Sequence, residues 1–222
     1  MTNLKAPLIM GLDLTASIRR RSAYALLRPP CEVVGLGALA TDEDILGLVK
    51  EQSVTLAGID SPLALPLGLC CLEESCGCEP ASPFKGRSAE RAMARLGIGS
   101  YFTTKRSIIK AMVYRGIGLK ARLEALGVQA LEVYPYASKV RLFGKPIPKK
   151  TTPEGLAFLK DRLLRLMPSL APHLDGLDHD LCDALMAAYT AILYVQGETE
   201  ALGSPEEVPV IVPHALAAGL CR

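Results

Sequence analysis

Leu8-Ile9-Met10-Gly11-Leu12-Asp13-Leu14-Thr15 is the stretch on which the fold turns. It is short and apolar and closes on Gly-Leu-Asp-Leu-Thr, the pattern of a buried strand that delivers a carboxylate near its C-terminal end. Two further strand-like runs follow, Arg21 to Arg28 and Glu32 to Ala40, with Pro29-Pro30 between them as a turn. Thr41 with Asp44 makes a capping-box-like start to a helix, whose apolar positions Ile45, Leu46, Leu48 and Val49 share one face. Val54 to Ile59 is the fourth strand, and it ends in Asp60-Ser61-Pro62. Three adjacent strands without a helix argue for an antiparallel meander. The helix that follows lets the fourth strand lie parallel to the first. That is the plan of a ribonuclease-H-like fold.

Beyond this point the rhythm breaks. From Leu63 to Gly127 the chain carries four crowded cysteines and two helical stretches, Ser88 to Leu96 and Ser107 to Leu126, and reads as a helical insertion beside the sheet. Val128 to Val133 returns as a fifth strand. Thr152-Pro153 opens a helix running to Met167, and a last long helix, about Leu177 to Val195, stops at Gly197. The expectation is one α/β domain over residues 1–222, with a mixed sheet of strand order 3-2-1-4-5, flanking helices and a cysteine-containing insertion at about 63–127.

Half of the 222 residues are hydrophobic and about a fifth are charged, which suits a packed globular chain. The apolar run Val54 to Leu72 is interrupted by Asp60, Pro62 and Pro66, so no membrane span is expected. The opening residues Met1 to Ala6 lack the features of a secretory signal, and a cytoplasmic protein without a disulfide framework is expected. The net charge is only +2, but the cations cluster at Arg19 to Arg21, Arg87 to Arg122 and Lys139 to Lys150. Such clustering fits a phosphate backbone, and equally fits solvated helix faces.

The chemistry rests on carboxylates. Asp13, Asp60 and Glu132 each stand at or near the end of an apolar strand, and Asp180 and Asp183 lie three apart at the start of the last helix, on one face. If the first, fourth and fifth strands are neighbours, roughly 4.8 Å apart, acids at matching ends converge. Like charges so placed raise one another's pKa, and a divalent cation removes the cost. Asp13, Asp60, Glu132 and Asp183 are the expected ligands of Mg²⁺ or Mn²⁺, and Asp180 joins them as a catalytic candidate. Singly, each has a plain alternative as a turn or helix-cap residue.

Four motifs carry a resemblance: Gly11-Leu12-Asp13-Leu14-Thr15, Gly58-Ile59-Asp60-Ser61-Pro62-Leu63, Leu131-Glu132-Val133-Tyr134-Pro135 and His179-Asp180-x-x-Asp183-Ala184. In this order they resemble domain-of-unknown-function family 429, from Leu8 to about Pro213, including Lys105-Arg106-Ser107-Ile108 and Tyr136 to Lys139. Members are described as predicted nucleases of the ribonuclease-H fold. The resemblance implies Asp13 as the first-strand ligand, Asp60 or Glu132 as the central acid, and Asp183 with Asp180 as the helix acids.

Cys70, Cys71, Cys76 and Cys78 supply enough thiolates for a zinc site, with reduced loop thiols as the alternative. Arg87, Arg91, Lys105, Arg106, Lys110 and Arg115 are the candidate phosphate contacts, with Thr15, Ser17, Lys139, Lys149 and Lys150 as further ones. The absence of tryptophan and the few aromatics argue against base-stacking platforms. His179 reads as a helix-capping residue, with a ligand or proton carrier as the alternative. No nucleophile triad or phosphate-binding G-x4-G-K-[ST] loop is present.

The function expected from the sequence is metal-dependent hydrolysis of nucleic-acid phosphodiesters. Two alternatives differ in class. One is a non-catalytic nucleic-acid-binding or regulatory domain on the same fold. The other is an actin-like small-molecule kinase, which needs a second lobe and phosphate loop that 222 residues do not accommodate. Nucleic acid is the expected partner, with oligomeric state open between monomer and homodimer.

Overall fold

The computed structural model describes residues 7–17 and 19–215. The segment Met1 to Ala6, on which the expectation about a leader rests, lies outside them. Strands β1 (Leu8–Asp13), β2 (Ser22–Arg28) and β3 (Glu32–Leu39) form the antiparallel meander, with Asp13 opposite Ala23 and Gly11 opposite Ala25. Helix α1 (Asp42–Glu51) follows, started by the Thr41–Asp44 capping box in which each side chain accepts from the other's backbone N–H. Strand β4 (Val54–Asp60) then lies parallel to β1.

Helices α2 (Ser88–Arg95) and α3 (Lys110–Glu124) lead to β5 (Gln129–Val133), parallel to β4. Next come α4 (Pro135–Phe143), α5 (Pro153–Leu166), a 3-10 segment at Pro168–Gly176, α6 (His179–Val195) and the hairpin β6 (Thr199–Leu202) with β7 (Val210–Pro213). The sheet order is β3-β2-β1-β4-β5-β7-β6. Its first five strands have the ribonuclease-H-like order and polarity expected from the sequence. The hairpin extends that sheet, because β7 pairs parallel with β5.

Side-chain alternation sorts the two faces. Ile9, Leu56, Leu131 and Val133 point to the face covered by α5 and α6, whereas Met10, Leu12, Ala57, Ile59 and Ala130 face α1 and α3. Helix α6 is buried continuously from Cys182 to Leu193. It can sink so far because β1 and β4 present glycines to it. A Cβ at Gly11 would stand 2.0 Å from the Ala184 carbonyl oxygen, and one at Gly58 would stand 2.6 Å from that of Ala187. Helix α3 contributes Leu119 and Leu123 to the opposite core, so this part of the expected insertion is a packed layer of the sheet. Among the described residues, no helix is long and apolar enough to cross a membrane.

Cys31 is disulfide-bonded, which the sequence reading did not anticipate, while Cys70, Cys71, Cys76, Cys78 and Cys182 are free thiols.

Candidate metal centre

The register of β1 against β4 builds the site. Gly11 is opposite Gly58, and two residues on Asp13 is opposite Asp60. In a strand, residues two apart share a face. Both aspartates therefore project on the side of the sheet where the glycines admit α6, and α6 brings Asp183 in its first turns to meet them. Oxygens of Asp13, Asp60 and Asp183 all lie within 4.8 Å of one another.

The cluster is electrostatically loaded. Burial first, and then the neighbouring Asp183, push the Asp13 carboxyl from 3.8 to about 7, with Lys150 opposing. Burial, then Asp13 and Asp183, hold the Asp60 carboxyl well above its ordinary range, against Lys150 and Lys139. Asp183 has cationic partners: the buried Lys139 ammonium donates to one of its oxygens and Lys150 to the other. Lys139 is 3% exposed and comes from α4, where it shares a stripe with Pro135 and Leu142; Lys150 is 43% exposed and sits on the loop before α5. Burial opposes the charged form of Lys150, but Asp183, Asp13 and Asp60 outweigh it and raise its pKa.

Asp180 stands beside Asp13, whose pKa it helps to raise, and pairs with His179 at 2.8 Å. It is outside the three-acid cluster and closer to solvent. A cavity of about 370 Å³ next to it is lined by Arg20, Arg21, Asp178, Asp180 and Leu181.

Glu132 goes elsewhere. It is opposite Ile59 rather than Asp60, so alternation turns it to the face of α1 and α3. There it accepts from both terminal nitrogens of Arg87 and, at 2.7 Å, from the backbone N–H of Leu63. Burial raises its pKa and Arg87 works in the other direction. Arg87 is 1% exposed and also donates to Glu90 and to the Glu207 backbone oxygen, so it is a structural cation rather than the phosphate contact the sequence suggested. Glu207 in turn accepts from the N–H groups of Leu67 and Ser88.

Several of the other expected phosphate contacts also have intramolecular work. Arg91 donates to the Gly86 carbonyl and Lys105 to that of Cys76. Arg115 joins Asp42, Ser22 and the Thr15 carbonyl, fixing the turn that leaves β1. Thr15 shapes the same turn by donating to the Arg20 carbonyl at 2.9 Å, and Ser17 accepts from the Arg19 N–H at 3.1 Å. Lys110 opens α3, half-buried, and Arg106 is exposed, with Glu74 at 3.6 Å. The four thiols of Cys70, Cys71, Cys76 and Cys78 gather within 4.8 Å of one another.

Sequence reasoning missed Lys139 and Lys150 as partners of Asp183. The stripe Pro135, Lys139, Leu142, spaced four and three apart on a helix, was the available signal that Lys139 faces inward. Three carboxylates with two ammonium groups keep a negative balance when all are ionised. Their donor set is all oxygen, which fits a hard divalent cation.

No family model matches the chain, and no curated protein matches it. Among solved structures, it is similar to the Thermus thermophilus RuvC structure, with a TM-score of 0.45 and 11% identity over 86% of this chain and 96% of that one.

Proposed function

We propose that this chain hydrolyses nucleic-acid phosphodiesters with a divalent cation held by Asp13, Asp60 and Asp183. The observation that carries the reading is the meeting of three carboxylates from β1, β4 and α6 within 4.8 Å. Chain packing alone gives no reason to collect acids whose charges oppose one another, and ligand binding does. The four sequence motifs support placing the chain with domain-of-unknown-function family 429 and point to the same activity.

Mg²⁺ or Mn²⁺, when bound, would supply positive charge against a phosphoryl group and help to activate water. The chain's own residues prepare for this. Lys139, buried, fixes the orientation of the Asp183 carboxylate. Lys150, less buried, would be free to turn from Asp183 to a phosphate oxygen if a cation were held by that acid. Asp13 and Asp60 would hold a cation in their ionised forms, which its charge would favour against the burial that raises both pKa values. Arg20 and Arg21, beside Asp180, offer cations for the adjoining phosphates.

The test is cleavage of labelled single- and double-stranded DNA and RNA with Mn²⁺ or Mg²⁺, alongside calorimetric titration of Mn²⁺. Asp13→Asn and Asp183→Asn are expected to lose at least about 100-fold in rate, on the scale of removing one electrostatic catalytic group. Full cleavage by a folded Asp13→Asn protein overturns the proposal. Wild-type protein that binds no Mn²⁺ at millimolar concentration favours a binding or regulatory domain instead.

A further inference from the structure

From Ser61, directly after Asp60, to Arg87, directly before α2, the chain has neither helix nor strand. A connection of this length without secondary structure is uncommon inside a compact domain and needs something to hold it. Its ends are held. Ser61 donates to the Met112 carbonyl at 3.1 Å, and the N–H groups of Leu63 and Leu67 are taken by Glu132 and Glu207.

The middle closes on itself. The Ala81 N–H donates to the Leu67 carbonyl at 2.7 Å, and Gly68, at φ +91°, passes so near the backbone of Glu79 and Ala81 that a Cβ would come within 2.6 Å of each. Between these closing points, Leu72 is the one buried side chain. One leucine is a poor core for such a loop. What the loop gathers is sulfur.

One Sγ from each of Cys70, Cys71, Cys76 and Cys78 lies within 4.8 Å of all the others, and Cys70 and Cys76 are 3.6 Å apart. Tetrahedral zinc, with Zn–S bonds of about 2.3 Å, sets sulfurs about 3.8 Å from one another. A disulfide requires about 2.0 Å, and these four cysteines are free. Four thiolates on Zn²⁺ would carry two net negative charges, and a cation reaches the loop. The Lys105 ammonium reaches the loop at the Cys76 carbonyl. Tyr114 of α3 pins the backbone between the cysteine pairs, accepting from the Leu72 N–H at 2.6 Å and donating to Glu73 at 3.0 Å.

We propose that Cys70, Cys71, Cys76 and Cys78 bind one Zn²⁺ in a closed tetrathiolate site that locks the loop between β4 and α2. Each thiol gives up its proton to solvent as its sulfur coordinates, and no electron transfer is involved. The site has a structural role and stands apart from the oxygen-ligand centre, which uses none of these residues. Its mechanical reach is nevertheless considerable. The same loop supplies Pro66, Leu69, Pro80 and Phe84 to one wall of a cavity of about 660 Å³, faced by Tyr101 and Lys105.

The test uses the full chain purified under reducing conditions and dialysed against metal-free buffer. Elemental analysis is expected to find one zinc per chain, and exchange with Co²⁺ to give thiolate-to-cobalt charge-transfer absorption together with tetrahedral d–d bands. Cys76→Ser and Cys78→Ser are expected to lose both signals, whereas Asp13→Asn keeps the full zinc content. Wild-type chain without retained zinc and without a cobalt–thiolate band overturns the proposal, as does loss of zinc from Asp13→Asn. Should the serine variants fail to fold, the cobalt spectrum of the wild-type chain decides alone.

Discussion

Asp13 shows how a single side chain can weaken a fold in order to be useful. Its carboxyl sits near 7 in the folded chain against 3.8 ordinarily, so the folded state holds a proton that the unfolded state releases. Between about pH 4 and pH 7 the folded chain therefore binds more protons. Its stability is greatest on the acid side and declines as pH rises through 7. The expected consequence is that metal-free protein melts lower at pH 8 than at pH 5, and that Asp13→Asn flattens this dependence. At pH 8 that variant should gain on the order of 2 kcal/mol, after allowance for the half-open site, or roughly 4–8 °C in melting temperature. Differential scanning fluorimetry in a chelator, then with Mn²⁺ added back, checks both the sign and the rescue. Glu132 gives the opposite case. Glu132→Gln leaves the buried Arg87 guanidinium short of its counter-charge and should cost about 3–5 kcal/mol in urea unfolding, with metal binding retained in the folded fraction. In the sequence Glu132 and Asp60 look alike, both acids at strand ends. What separates them is a one-residue offset in pairing, Ile59 opposite Glu132, and register between distant strands is not written in either strand alone.

At the scale of elements, the approach of α6 to β1 and β4 makes the site. Gly11→Ala would force a methyl group to 2.0 Å from the Ala184 carbonyl oxygen, a contact with backbone that no rotamer relieves. The helix must lift, and Asp183 leaves with it. The variant is expected to lose several kcal/mol of stability and to bind Mn²⁺ at least tenfold more weakly, as read by unfolding and calorimetry. Most elements were legible beforehand because their signals are local: the Thr41–Asp44 box, Thr152-Pro153, Gly197 and the short apolar runs of β1 and β4. The elements that were missed lack such signals. Strands β6 and β7 have four residues each, too short for a period to declare itself, and β7 is a strand because β5 offers it an edge. Helix α4 starts at Pro135, which reads as a turn until the buried stripe behind it is noticed.

At the scale of the whole molecule, a net charge of +2 gives little general attraction to a polyanion, so the proposed function rests on local patches. Arg20 and Arg21, exposed and bordering the cavity beside Asp180, form one such patch. Replacing both with alanine should weaken nucleic-acid binding several-fold and reduce the salt dependence of affinity by roughly two phosphate contacts, measured by fluorescence anisotropy across a salt series. The sequence revealed that cations cluster, but not that Arg87 and Arg115 are consumed inside the molecule. Partnership of that kind joins residues far apart in the chain, Arg87 with Glu132 and Arg115 with Thr15.

The grip of Glu132 and Glu207 on the loop that begins beside Asp60 also orders events in time. During synthesis, β1 and β4 emerge before α6. The third acid waits for α6, and the clasp on Leu67 and Ser88 waits for Glu207 still further along. The three-acid centre of a nascent chain therefore stays dismantled until α6 has followed β1 and β4.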